Sequence, residues 1–415
     1  MGRKGYFSNF KIDLANPTII YTLLWIFSFI LYSLEFTNNI IGLNEKTIVL
    51  ISGSVLSIWM IYLYMSIQGL FGSNVVSNLK MPFPQKNPAS KIDYFKNIIR
   101  ILTTIWLIFT FFEIVYFKGI PLISVVILGQ YDLDYKAFGL PTVHGFLNAC
   151  YLTIVSSYAI LYYSEKRRKY LLYIVVFLLW PVLLMSRALI LWALIEVFCI
   201  YLIFFKLNLT RILKTVGYVF AFIYIFGFIG DNRGEVSETK FTDNFIKDEY
   251  KDVSDYIPTG FVWVYLYLTT PINNIVWNID KVEPKYNLRY TTASLIPSVI
   301  RDRIYVQEDE KYSVELYDEA FNVSSYFANY LKDFGIYGAL IIGGIIQVII
   351  LRFFFSARQF EIGSMLAFSC LFYALALCVF TDFFFSLVTV FQVLLGLFIN
   401  YLLYSKTKKK IYAQK

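Results

Sequence analysis

The chain of 415 residues is 58% hydrophobic and 16% charged, with a mean hydropathy of +0.59, whereas soluble domains carry about 25% charged residues. Its 40 Phe, 34 Tyr and 7 Trp exceed what one water-soluble core can pack, and the same figures exclude disordered, collagen-like and disulfide-scaffold classes. The net charge of +8 would favour nucleic acid on a soluble surface, but its distribution along the chain removes that reading.

A hydrocarbon core of ~30 Å requires roughly 17–25 apolar residues of a spanning helix. Ten such runs are predicted, at 18–34, 47–71, 98–117, 140–163, 170–186, 188–205, 212–230, 335–355, 363–381 and 385–404. The first lacks a small-residue cleavage site and reads as a retained anchor. The last two form one apolar run interrupted by Asp382 alone, which suits two antiparallel helices turning at Thr381–Asp382. Cys150, Cys199, Cys370 and Cys378 all fall inside predicted spans without a CxxC pair, and read as small core residues.

Lys and Arg set the orientation. With the N-terminus inside, the inner segments hold 22 of the 37 basic residues, including Arg3, Lys80, Lys166–Lys169, Arg358 and Lys408–Lys410. Their only acids are Asp13, Asp93, Glu165 and Glu361. The predicted protein is therefore an all-α polytopic membrane protein of about ten transmembrane helices. Both termini are cytoplasmic, and 1–415 forms a single transmembrane domain.

One long hydrophilic segment, 231–325, is predicted on the outer side with 10 basic and 17 acidic residues. Inside it, Pro258–Ile279 carries no charge. Crossing there would move Arg352, Arg358 and the terminal lysines outside. The stretch is read instead as an aromatic interfacial or re-entrant helix broken at Pro271, with Trp263, Tyr265, Tyr267 and Trp277 at headgroup depth. Gly119–Gly129 looks like a shorter segment of the same kind.

Few residues offer chemistry. Arg187 lies between two spans on the outer side, against the charge trend, and calls for an anion nearby; the alternative is an arginine snorkelling to a headgroup. Arg233, Arg289, Arg301 and Arg303 follow on the same side. Planar guanidinium forks suit diphosphate, although 17 acids share the loop and solvated ion pairs remain the alternative. His144, the only histidine, stands at the outer end of span four, where it would serve as a base, hold a phosphate or bond the backbone. Asp231, Glu235, Asp318 and Glu319 are other outer-side bases. Glu113 and Glu196, in or near spans, offer a transporter-like relay, with Glu196 expected to bond a Tyr or Trp. No Walker loop, GxGxxG or HExxH occurs, so no metal and no nucleotide cofactor is indicated.

Several short features resemble, in order, the bacterial oligosaccharide repeat-unit polymerases of the Wzy type. They are KGIPLIS at Lys118–Ser124, MSRALILWALIEV at Met185–Val197, GDNRGE at Gly230–Glu235, YLTTPINNI at Tyr267–Ile275 and NYLKDFGIYGAL at Asn329–Leu340. The resemblance implies an inner-membrane glycosyltransferase that needs neither nucleotide sugar nor metal. It would transfer a glycan from undecaprenyl diphosphate to a newly flipped lipid-linked repeat unit on the periplasmic face, building O-antigen or a related polysaccharide. Arg187 and Arg233 would bind the diphosphate, with Arg289 a third; His144 and Glu235 are the candidate catalytic bases, chosen by position and chemistry. A chain-length co-polymerase is the partner the resemblance implies, beside the lipid bilayer and the two lipid-linked glycans. An O-antigen ligase and a lipid-linked oligosaccharide flippase or other transporter stay open as alternatives.

Overall fold

A computed structural model describes residues 11–38, 40–71, 89–130, 137–208, 210–215, 217, 220, 221, 224, 245–254, 256–297, 300, 301, 303, 316, 317 and 323–412. Among the described residues the fold is all-α apart from a two-residue antiparallel pairing of β1 (Lys11–Ile12) with β2 (Leu207–Asn208) and an isolated bridge between Thr37 and Ile246. The principal helices are α1 (Pro17–Ser33), α2 (Glu45–Phe71), α3 (Ala89–Phe117), α4 (Val143–Glu165), α5 (Arg168–Leu183) and α6 (Arg187–Phe204). After these come α7 (Thr259–Asn278), the short α8 (Arg289–Thr292), α9 (Phe327–Arg358), α10 (Ile362–Ala376) and α11 (Leu387–Tyr412). Among the described residues, six helices are long and apolar enough to cross a bilayer, and α1 and α10 are shorter apolar helices. The protein is thus an all-α protein of membrane type. The predicted seventh span, 212–230, lies mostly outside the described residues.

Local chemistry sets the helix boundaries. Asn16 caps α1 by accepting the Thr18 N–H at 3.0 Å, and Pro17 occupies the first helical position, where its missing N–H costs nothing. Ser186 plays the same capping part for α6, accepting from Leu189 at 3.5 Å. The predicted eighth span starts at 335, and α9 in fact begins eight residues earlier. Its backbone breaks at Gly335 (φ 68°, ψ −168°), so the long apolar part does start where the hydropathy rises.

The centre of the bundle is α10, buried from Ile362 to Leu375 and packed against α4, α6, α9 and α11. Its approach to α11 is close enough that a Cβ on Gly363 would stand 2.2 Å from the Gly396 carbonyl oxygen. Bare backbone at such crossings is how membrane helices gain dispersion contacts where lipid is as apolar as Leu. By contrast α2 and α3 expose Leu56, Met60, Leu107 and Phe111, an apolar outer face. All four cysteines are free and buried, as core residues.

Helix α7 departs from the expectation of a break at Pro271. It runs continuously through that proline, in a helix held by its neighbours. The brace is the α1–α2 connection: Asn273 Oδ1 accepts from the Ile41 N–H (2.8 Å) and the Tyr32 hydroxyl (3.0 Å), and Lys46 pairs with Asp280. Tyr265 is buried within the protein, and its hydroxyl accepts the Phe36 N–H at 3.0 Å. After Gly119, Ile123–Ile127 forms a single π-helical turn with Val126 and Ile127 exposed.

Candidate active site at one end of the bundle

His144 sits in the first turn of α4 and meets the last turns of α3. Its Nδ1 lies 3.2 and 3.1 Å from the two carboxylate oxygens of Glu113. Glu113 is 1% exposed and His144 29%, so the carboxylate is enclosed while the ring reaches the surface. Glu113 Oε1 also accepts the Leu140 N–H at 3.0 Å, which fixes its orientation. An Nδ1–H donated to this carboxylate leaves Nε2 as the acceptor nitrogen. Two neighbours shape the ring's place. The Phe138 ring meets it edge-on, with centroids 5.7 Å apart. Gly139 has φ +107° and would put a Cβ 2.6 Å from the imidazole, so both the backbone and the space demand glycine.

Packing gathers other elements at the same end. Phe138 contacts Trp180 near the end of α5 (6.2 Å), and α6 starts three residues beyond α5 with Arg187 at its first position. On the other side, Phe146 stacks edge-on against Phe391 at 4.6 Å, bringing the start of α11 to α4. The Leu387 N–H donates to Ser294 O (3.2 Å), which ties α11 to the segment after α8, and α8 opens with Arg289. Trp192 of α6 meets Phe383 at 5.1 Å in the α10–α11 turn. His144, Arg187 and Arg289 therefore share one end of the bundle, Arg187 exposed and Arg289 half-buried.

The α10–α11 turn adds a group that the sequence showed only as an isolated charge. Asp382 Oδ1 accepts the Phe384 N–H at 2.9 Å, while Oδ2 is buried with no partner in normal hydrogen-bond geometry. Tyr330 lies beside it, its hydroxyl also buried. Burial pushes the Asp382 carboxyl up to about 7, against the opposing pull of the Tyr330 hydroxyl and the Phe384 and Phe385 amides.

The opposite end is differently charged. Arg358 binds the carbonyls of Leu202 and Ile203 and pairs with Asp13, and Lys96 pairs with Glu165 at 2.5 Å. Between the ends lies Glu196, fully buried. It accepts from Ser156 Oγ (2.5 Å) and Gln392 Nε2 (2.9 and 2.7 Å), and not from the Tyr or Trp expected for it. This carboxyl ties α4, α6 and α11 together, because hydroxyl and amide donors lie closer on those helices than any ring donor does.

Arg301 and Arg303 are described, Arg301 half-buried and Arg303 exposed. Arg233, Glu235, Asp231, Asp318 and Glu319 lie outside the described residues. No protein-family model, curated protein or solved structure matches the chain.

Proposed function

We propose that this protein polymerises undecaprenyl-diphosphate-linked oligosaccharide repeat units into O-antigen or a related surface polysaccharide. In this reading it is a ten-span bacterial inner-membrane protein with cytoplasmic termini, and its active site faces the periplasm. The observation that carries the reading is the half-buried His144 oriented by the enclosed Glu113, at the bundle end that also bears Arg187 and Arg289.

The acceptor hydroxyl oxygen attacks the anomeric carbon of the donor glycan, and the bond from that carbon to the diphosphate oxygen breaks. His144 Nε2 takes the hydroxyl proton, and Glu113 stabilises the imidazolium that forms. Undecaprenyl diphosphate leaves with the bonding electron pair. Arg187 and Arg289, together with Arg233, offset the charge growing on it, the largest electrostatic demand of the step. Glu235 is the alternative base.

The test is a gel of surface lipopolysaccharide from a strain deleted for the gene and complemented with variants. Deletion is expected to collapse the ladder to lipid A core with a single repeat. Arg187→Ala and His144→Ala are expected to do the same at unchanged protein level, since each removes about 10²-fold or more of the rate. Loss of every repeat would instead indicate a ligase or flippase, and an unchanged ladder would overturn the proposal.

A further inference from the structure

The segment carrying Arg289 is strapped to the start of α9 by hydrogen bonds from its backbone N–H groups. The first turn of any helix has N–H groups with no partner inside the helix. In α8 the N–H groups of the first three positions, Arg289, Tyr290 and Thr291, are all satisfied. The Arg289 N–H goes to Asn287 Oδ1 (3.0 Å), and the Thr292 N–H to Leu288 O (3.0 Å). The two between them, Tyr290 and Thr291, both donate to the carboxylate of Asp333, at 3.2 and 2.7 Å. Asp333 is 0% exposed and lies 42 to 43 positions away in sequence.

The preceding residues are held as firmly. The Lys285 N–H donates to Lys332 O at 3.1 Å and the Tyr286 N–H to Asp333 O at 2.7 Å. In an unbroken helix those two carbonyls would accept from residues 336 and 337. The left-handed backbone at Gly335 interrupts that ladder and turns them outward. A Cβ there would also stand 3.0 Å from Pro284 Cγ, at the other end of the strap. Lys332 Nζ sits 4.2 Å above the Tyr290 ring and closes the same seam.

We infer that Asp333 is a positioning residue that holds Arg289 in register to grip the diphosphate of the lipid-linked substrate. The inference rests on the polymerase reading and extends it to a residue that touches no substrate. Its physical basis is the directionality of guanidinium: a fork grips a diphosphate oxygen pair only from a fixed origin, and a side chain of this length inherits every error of its backbone. Asp333 fixes the amides of the two residues after Arg289, and Asn287 fixes Arg289's own.

The experiment uses the full chain in lipid nanodiscs with undecaprenyl diphosphate as the probe. Its affinity is measured for the wild type, Arg289→Ala, Asp333→Asn and the double variant, and amide exchange is followed over 285–296. Arg289→Ala is expected to weaken binding about tenfold or more. Asp333→Asn keeps one acceptor and should weaken it several-fold, with faster exchange at Tyr290 and Thr291. In the double variant the Asp333 change should add almost nothing, because it acts through an arginine already gone. Asn287→Ala loosens the same turn from its exposed side and should reproduce the effect more weakly if Asp333→Asn does not accumulate. Losses that simply add, or wild-type binding beside faster exchange, would overturn the inference alone. A wild type that does not bind the probe would overturn the polymerase reading, and the inference with it.

Discussion

At the scale of single residues, partnership changes what each group can do. His144 and Glu113 are 31 positions apart, and their pairing joins a lone histidine and an apparent intramembrane acid into one hydrogen-bonded pair. Asp382 shows the same effect in its titration. An exposed aspartate loses its proton near 3.8, and the folded protein holds this one to about 7. Between those values the folded state binds a proton that the unfolded state does not. Stability must therefore fall as pH rises from about 4 to about 7 and level off above it. The full term is on the order of 4 kcal/mol. Asp382→Asn cannot titrate, so its melting temperature should decline less between pH 5 and pH 8 than that of the wild type; parallel curves would exclude the assignment. The charge type of each of these residues could be read in the sequence. Their partners could not, because they come from other helices.

At the scale of elements, hydropathy located nearly every long helix, since a run of apolar residues is a local property. It misjudged continuity in one place. Pro271 does not break α7, and the α1–α2 connection holds the helix on both sides of the proline, at Tyr265 before it and Asn273 after it. At Gly335, where the predicted span begins, the backbone of α9 does break, and the break serves the strap described above. The α10–α11 crossing gives a direct prediction. Gly363→Ala would force a methyl into the Gly396 carbonyl and to within 2.5 Å of Asn400 Cβ, so two helix backbones must separate. Overpacking of this kind costs about 1–3 kcal/mol. Gly344→Ala is the matched control, with its nearest neighbour, Ser57 Oγ, at 3.6 Å. Thermal unfolding of the purified variants should show a lower midpoint for Gly363→Ala and no loss for Gly344→Ala. Equal midpoints would mean that the crossing is looser than drawn.

At the scale of the molecule, the two ends of the bundle bear different ion pairs. Lys96, Arg167 and Arg358 gather at one end, with Glu165 and Asp13 as their partners. The end with His144 is the one proposed to face the periplasm. All four native cysteines are buried, so the wild type should be silent to a membrane-impermeant maleimide. Tyr256, 89% exposed, should become labelled as Tyr256→Cys in intact cells. Arg167→Cys, at a side chain 62% exposed, should react only after permeabilisation. The opposite pattern would invert the proposed topology, and labelling of both from one side would mean that the number of crossings between them is even.

Class and helix content were readable from composition and order. Transfer of a side chain from water to hydrocarbon is additive along the chain and needs no knowledge of neighbours. The site was not readable in the same way. Asp333 meets Thr291 across 42 positions, and Gln392 meets Glu196 across 196. A buried carboxyl takes the donors that packing brings within 3 Å of it, and packing is set by all the helices at once.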